Sequence, residues 1–155
     1  MARISTQQPA LKPQDLFVLF ALLSHEKGAA SYPELASHTG LASSAVHTAL
    51  KRAAVAGLVA YRDRRPYVLK PQLREFVISG ARYAFPAVHG ADPPPVWPHI
   101  QGSVRGIALA PLYPTVPAAA LKDEKLYALL ALFDALRAGQ AREREIAKQM
   151  LAEAI

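Results

Sequence analysis

Residues 31–57 constrain the fold of this chain more than any other stretch, because the residue types mark the helix boundaries. Ser31 and Glu34 have the S-x-x-E spacing of a capping box, which begins a helix. Gly40 can adopt the positive φ of a tight turn, and Gly57 is typical of the residue that follows a helix. The stretch therefore predicts a short helix, a turn and a second helix.

The second predicted helix begins at a Ser43 or Ser44 cap, continues to Ala56 and has two faces. Its apolar residues recur at helical spacing and predict a core-facing stripe. These residues are Val46, Ala49, Leu50 and Ala53. The opposite face is small and polar at its start and basic toward its end. We expect it to comprise Ser44, Ala45, His47, Thr48, Lys51 and Arg52. Short side chains of this kind can approach base edges in a DNA major groove, while the cations reach phosphates.

A short basic hairpin is predicted directly after this helix. Residues 58–61 and 67–70 alternate as two short strands would, around a tip at residues 62–66. The tip carries three arginines, which are Arg62, Arg64 and Arg65. Cations at such a tip can reach the phosphates or the minor groove beside a DNA site.

The placement of charge points the same way. The formal net charge is +6, with eleven Lys/Arg and five Asp/Glu in residues 1–83 but seven of each in residues 84–155. The whole basic excess therefore lies in the half that contains the two predicted helices and the hairpin. This is the electrostatic footprint of a phosphate-binding surface, and a merely solvated basic face is the alternative.

Residues 31–70 resemble the winged helix-turn-helix of MarR- and ArsR-like bacterial transcription regulators. The resemblance rests on PELASHTGLASSAVHTALKRAAVAGLV followed by the basic hairpin, and it extends over about residues 13–83 with the preceding helix. It implies a mainly α fold with a small β-hairpin wing, in which residues 43–56 are the recognition helix and residues 62–65 the wing tip.

The resemblance also implies a function. We expect a cytoplasmic homodimer that binds double-stranded DNA at a palindromic site and regulates transcription, as a repressor. The residues expected to contact DNA are Ser43, Ser44, Ala45, His47, Thr48, Lys51, Arg52, Arg62, Arg64 and Arg65.

Four regions are predicted along the chain. Residues 1–12 form a flexible arm, residues 13–83 the DNA-binding domain, residues 84–117 a proline-rich extended arm, and residues 118–155 a helical region for dimerisation or partner binding. The proline-rich arm departs from MarR proteins, which proceed to long dimerisation helices without one.

The flanking helices have their own patterns. Pro13 predicts a helix start, and the helix is expected to run on to Gly28 with residues 16–23 apolar on all sides, hence buried on several sides. Residues 122–138 and 140–154 predict two further helices. The last has a thin apolar seam, expected at Ile146, Met150 and Leu151. Such a pair needs to pack on the DNA-binding domain or on a second copy.

The sequence shows no convincing catalytic constellation. There are no cysteines, and the five histidines lack metal-ligand spacing. We expect no enzyme activity, no metal and no cofactor. The longest strongly apolar run is far shorter than the roughly twenty residues of a membrane span, so no membrane partner is expected.

Two alternative functions stay open at this point. The first is an interaction protein, such as an autoregulating antitoxin that neutralises a partner protein through residues 84–155. The second is a ligand-responsive regulator with an effector pocket near Trp97 and Tyr113.

Overall fold

The structure is a computed structural model, and it describes residues 8–25, 30–87 and 122–155. Within these residues the protein is mainly α-helical with a small antiparallel β-hairpin, as the sequence predicts. The helices are α1 (Pro13–Ser24), α2 (Tyr32–Thr39), α3 (Ser43–Val55), α4 (Lys70–Ser79), α5 (Ala81–Ala84), α6 (Glu124–Ala138) and α7 (Ala141–Ala154), and the strands are β1 (Val59–Arg62) and β2 (Arg65–Val68).

Helix α1 is the centre of the core. Every residue from Asp15 to Leu23 is buried, which confirms that this helix is surrounded on several sides. It packs against α2, α3, α6 and β2, and the ring of Phe20 lies edge-on to that of Phe133 with centroids 6.0 Å apart. The helix ends at Ser24, earlier than the sequence predicts, and the predicted end at Gly28 lies outside the described residues.

The α2–turn–α3 unit follows the predicted boundaries closely. The Ser31 hydroxyl accepts a hydrogen bond from the Glu34 backbone N–H, and the Glu34 carboxylate accepts one from the Ser31 backbone N–H at 2.8 Å. Gly40 has a φ of 75°, as the predicted turn requires. The predicted serine cap of α3 is wrong, because the extended residue before the helix is Ala42 and both candidate serines lie inside the first turn.

The C-terminal helices pack on the rest of the same chain. Helices α6 and α7 lie against each other, α6 also contacts α1 and α5, and α7 contacts α4. The seam of α7 is centred on Ala147 and Leu151, whereas the predicted Ile146 and Met150 are only half-buried. Helix α7 therefore presents Ala147 and Leu151 to its neighbours, and Met150 packs at the margin of the core. Dimerisation or partner binding through these helices stays a prediction.

Some predicted features lie wholly or partly outside the described residues. Residues 1–7 of the N-terminal arm, most of the proline-rich arm and the suggested effector pocket near Trp97 and Tyr113 belong to this group. Residues 70–84 form two helices, α4 and α5, which are divided at Gly80. In the described ranges no helix is both long enough and apolar enough to cross a membrane.

Candidate nucleic-acid interface

The outward face of α3 is short and polar. Its buried stripe consists of the four predicted residues, and it packs α3 against α1 and α2. The opposite side therefore faces solvent. The exposed predicted residues are Ser43, Ser44, His47, Thr48 and Lys51. The Thr48 hydroxyl donates to the backbone oxygen of Ser44 at 2.9 Å, so its own oxygen stays available as an acceptor.

Two predicted residues of α3 do not belong to this exposed face. Ala45 is half-buried and packs against the hydrophobic core. Arg52 turns toward α1, where its Nε and Nη2 atoms donate to the two carboxylate oxygens of Asp15, each at 2.7 Å. The Asp15 side chain is fully buried, and its hydrogen bonds raise the pKa of Arg52. Arg52 therefore holds α3 to the central helix.

The Asp15–Arg52 pair was missed by reasoning from the sequence. A single carboxylate within an otherwise apolar helix is the signal that could have found it, because a buried charge requires a partner. The Lys12 backbone N–H is a third donor to Asp15, at 2.9 Å. Asp15 thus accepts hydrogen bonds from Lys12 on its own side and from Arg52 of α3.

The hairpin has a two-residue turn, shorter than the predicted tip. Its register pairs Val59 with Val68 and Arg62 with Arg65. The turn residues Asp63 and Arg64 have φ values of 50° and 64°, which is the type I′ geometry that suits the twist of a tight hairpin. The strands therefore extend further toward the tip than the sequence predicts.

All three predicted hairpin arginines are exposed. The Arg62 guanidinium lies over the ring of Tyr67, 5.6 Å from its centroid. The pKa of Glu34, near the start of α2, is lowered mainly by the hydrogen bond from the Ser31 backbone N–H. The positive charge of Arg65 lowers it further, so Arg65 lies near the start of α2. Among the residues described, none of the three arginines forms an ion pair with a carboxylate. Their charges are therefore available to an external anion.

Two tyrosines connect the hairpin to the face of α3. The ring of Tyr32, the first residue of α2, lies edge-on to His47 with centroids 5.3 Å apart. Its hydroxyl lies 3.4 Å from that of Tyr61 on β1. Sequence reasoning missed both residues. Strand alternation predicts that Tyr61 and Val59 lie on the same face of β1. No pattern in the sequence predicts that Tyr61 contacts Tyr32.

A second polar cluster ties three helices together away from this face. The Ser24 hydroxyl donates to Asp123 at 2.8 Å, and Asp123 caps α6 by accepting from the Leu126 backbone N–H at 3.1 Å. His38 Nε2 lies 2.9 Å from the same carboxylate, although not in the orientation of a good hydrogen bond. Because Ser24 donates to the carboxylate and not to the imidazole, the geometry does not activate its hydroxyl as a nucleophile.

Within the described ranges no group of three or more His, Asp or Glu side chains is placed to hold a metal ion. A surface groove of about 630 Å³ lies at the end of α3. It is lined by Leu11, Ala56, Gly57, Leu58, Leu69, Gln72, Glu75 and Phe76. This mostly apolar lining offers one carboxylate and no second ionisable group.

Comparison of the chain with protein-family models, with curated proteins and with solved structures gave no match.

Proposed function

We propose that this protein is a transcription regulator that binds double-stranded DNA through a winged helix-turn-helix formed by α2, α3 and the hairpin. The observation that supports it most is the shared surface of α3 and the hairpin. The polar face of α3 and the three hairpin arginines are all exposed, and Tyr32 contacts both elements. A helix with flanking cations is the arrangement that places base-reading side chains in a major groove.

The exposed residues form two groups, which differ in the length of the side chain and in the part of DNA that it can contact. On α3, Ser43, Ser44, His47 and Thr48 have short side chains that can approach base edges, and the imidazole offers a donor and an acceptor. Lys51 and the hairpin arginines are long cations that suit phosphates. Ala45 and Arg52 are left out of the proposed contacts because one packs on the core and the other pairs with Asp15.

The hairpin turn adds a second line of support. Arg64 has a φ of 64°, where a side chain costs roughly 1–2 kcal/mol relative to right-handed backbone and where glycine is favoured. Backbone strain of this kind is more frequent at functional sites than elsewhere. The Arg64 side chain, at the turn of the hairpin, can contact a phosphate that α3 does not reach.

We further propose that the protein acts as a cytoplasmic homodimer and a repressor. Two-fold symmetry would place the recognition helices about 34 Å apart and match a palindromic site. Within the described residues the apolar faces of α6 and α7 are covered by α1, α4 and α5. The proposed dimer contact through these helices therefore uses their solvent-facing sides.

The test is selection of duplexes from a random pool of double-stranded DNA by the full-length protein, followed by affinity measurements over a range of salt concentrations. We expect a palindromic motif. The double variant Arg64→Ala/Arg65→Ala should bind it more weakly, with a salt slope smaller by up to about 1.8, because each phosphate contact contributes about 0.9.

The matched control is Lys122→Ala/Arg142→Ala, which removes the same charge from exposed residues outside the proposed interface. It should leave both the affinity and the salt slope nearly unchanged. The proposal fails if the wild-type protein selects no motif, or if both double variants weaken binding equally.

A further inference from the structure

Three aromatic side chains from three elements meet between α3 and the hairpin. His47 is exposed on α3, and its ring plane is turned 87° from that of Tyr32, in an edge-to-face contact. The Tyr32 hydroxyl reaches the hydroxyl of Tyr61 on β1. We name these three residues the Tyr32 cluster.

Tyr32 is the fixed member of this cluster. It is half-buried and packs against the hydrophobic core. It follows Ser31 directly, and the reciprocal hydrogen bonds between Ser31 and Glu34 fix the start of α2. The backbone that carries the Tyr32 ring is thus held on both its core side and its N-terminal side.

Tyr61 contacts Tyr32 through its hydroxyl, which lies 3.4 Å from the Tyr32 hydroxyl. It pairs across the hairpin with Pro66, which is buried, so the two share a face of the hairpin. Its side chain is 43% exposed, and partial burial together with the hydrogen bond to Tyr32 raises its pKa to about 12.

An unsupported histidine on a helix surface samples several rotamers, and fixing one on binding costs conformational entropy. An edge-to-face contact with a fixed ring removes part of that freedom before binding. The contact leaves the exposed side of the imidazole free to meet a ligand.

We propose that Tyr32 is a positioning residue of the DNA interface, whose ring holds His47 in the orientation with which it reads a base edge. This inference rests on the proposed DNA binding. It assigns base discrimination to a contact between α2 and α3, since Tyr32 itself does not have to touch DNA.

The experiment repeats the selection from random double-stranded DNA with the full-length protein and its variants. His47→Ala first identifies the base pair whose preference depends on His47. At that position the wild type should prefer its base by about tenfold, as is typical of one mismatched base pair. Tyr32→Leu should reduce the preference there to about threefold or less, whereas Tyr32→Phe, which keeps the ring, should retain it.

Three further measurements separate positioning from a general structural effect. The salt slope of Tyr32→Leu should equal that of the wild type, because no phosphate contact is removed. The double variant Tyr32→Leu/His47→Ala should show the same base preferences as His47→Ala alone. The control Tyr83→Leu, at a tyrosine that is 70% exposed on α5, should change nothing. Thermal unfolding of each variant checks that the variant is folded before its DNA binding is compared with that of the wild type.

The inference is overturned if Tyr32→Leu weakens binding to every sequence equally and keeps the preference at the His47-dependent position. It is also overturned if His47→Ala changes no base preference, and in that case the proposed DNA binding still stands. Failure of the wild-type protein to select any motif would overturn the DNA-binding proposal itself, which is a distinct result.

Discussion

Arginines occupy two contrasting environments in this protein. In the interior, Arg52 pairs with Asp15, and Arg137 donates from Nε and Nη2 to Asp134 at 2.9 and 2.6 Å. Their side chains are only 17% and 4% exposed. The three hairpin arginines are exposed and, among the residues that the structure describes, have no carboxylate partner. The same residue type thus forms largely buried ion pairs in one region and presents exposed charge in the other.

This contrast shows how the net charge of +6 should be interpreted. Two of the cations are neutralised locally by buried aspartates, so they contribute little to the external field. Burial raises the pKa of Asp134, and the nearby Arg137 partly opposes that effect. Lys51 and the three hairpin arginines are the exposed cations that the proposed interface presents to an approaching polyanion.

The largest expected effect is a difference in unfolding free energy between a variant of a buried arginine and a variant of a hairpin arginine. Arg52→Ala leaves the fully buried Asp15 without its ion-pair partner, which should lower the free energy of unfolding by about 3–5 kcal/mol. Arg65→Ala removes an exposed charge and should lower it by less than about 0.5 kcal/mol. Urea denaturation measures both. Equal losses in the two variants would mean that the interior pair does not hold α1 to α3.

A smaller effect should appear in the acid range at Asp123, which caps α6 and joins it to Ser24 and His38. Partial burial opposes ionisation, but hydrogen bonds from Leu126 and Ser24 outweigh it and lower the pKa below its ordinary value of 3.8. The carboxylate therefore stabilises the fold above that value, and the contribution is lost as the pH falls through the lower folded-state pKa.

The corresponding variant is Asp123→Asn. Its deficit in unfolding free energy against the wild type should be clear at pH 5 and should shrink toward pH 2.5, as urea denaturation at the two values would reveal. The exposed Glu153→Gln serves as the control, with no comparable deficit at either pH. A deficit for Asp123→Asn that stayed constant over this range would rule out the ionised carboxylate as the source.

The smallest expected effect has the opposite sign. Arg64→Gly relieves the positive φ of the hairpin turn, and we expect the free energy of unfolding to rise by about 0.5–1 kcal/mol, after the greater flexibility of glycine in the unfolded chain is included. Thermal unfolding detects this as a higher midpoint. A lower midpoint would show that the Arg64 side chain makes a stabilising contact in the fold.

Local signals account for what could be predicted from the sequence. The Ser31–Glu34 capping box, Gly40 and the alternation of the hairpin act within a few residues, and the structure places α2, the turn and the strands close to the predicted positions. The apolar pattern of residues 16–23 likewise predicts the buried α1.

What could not be predicted depends on contacts between distant residues. Helical spacing puts Arg52 at the edge of the buried stripe of α3, three residues after Ala49, yet its partner Asp15 lies 37 residues earlier in the chain. A long flexible side chain can turn toward either environment, and only the packing of α1 on α3 decides which. The same holds for Tyr32 and Tyr61, which are 29 residues apart.

The most direct test of the account uses Arg64→Gly in a DNA-binding measurement on the full-length protein. We predict that this variant, although at least as stable as the wild type, binds the selected duplex more weakly and with a salt slope smaller by about 0.9, as loss of one phosphate contact requires. Affinity and salt slope equal to those of the wild type would contradict the claim that the hairpin is the wing of a DNA-binding surface.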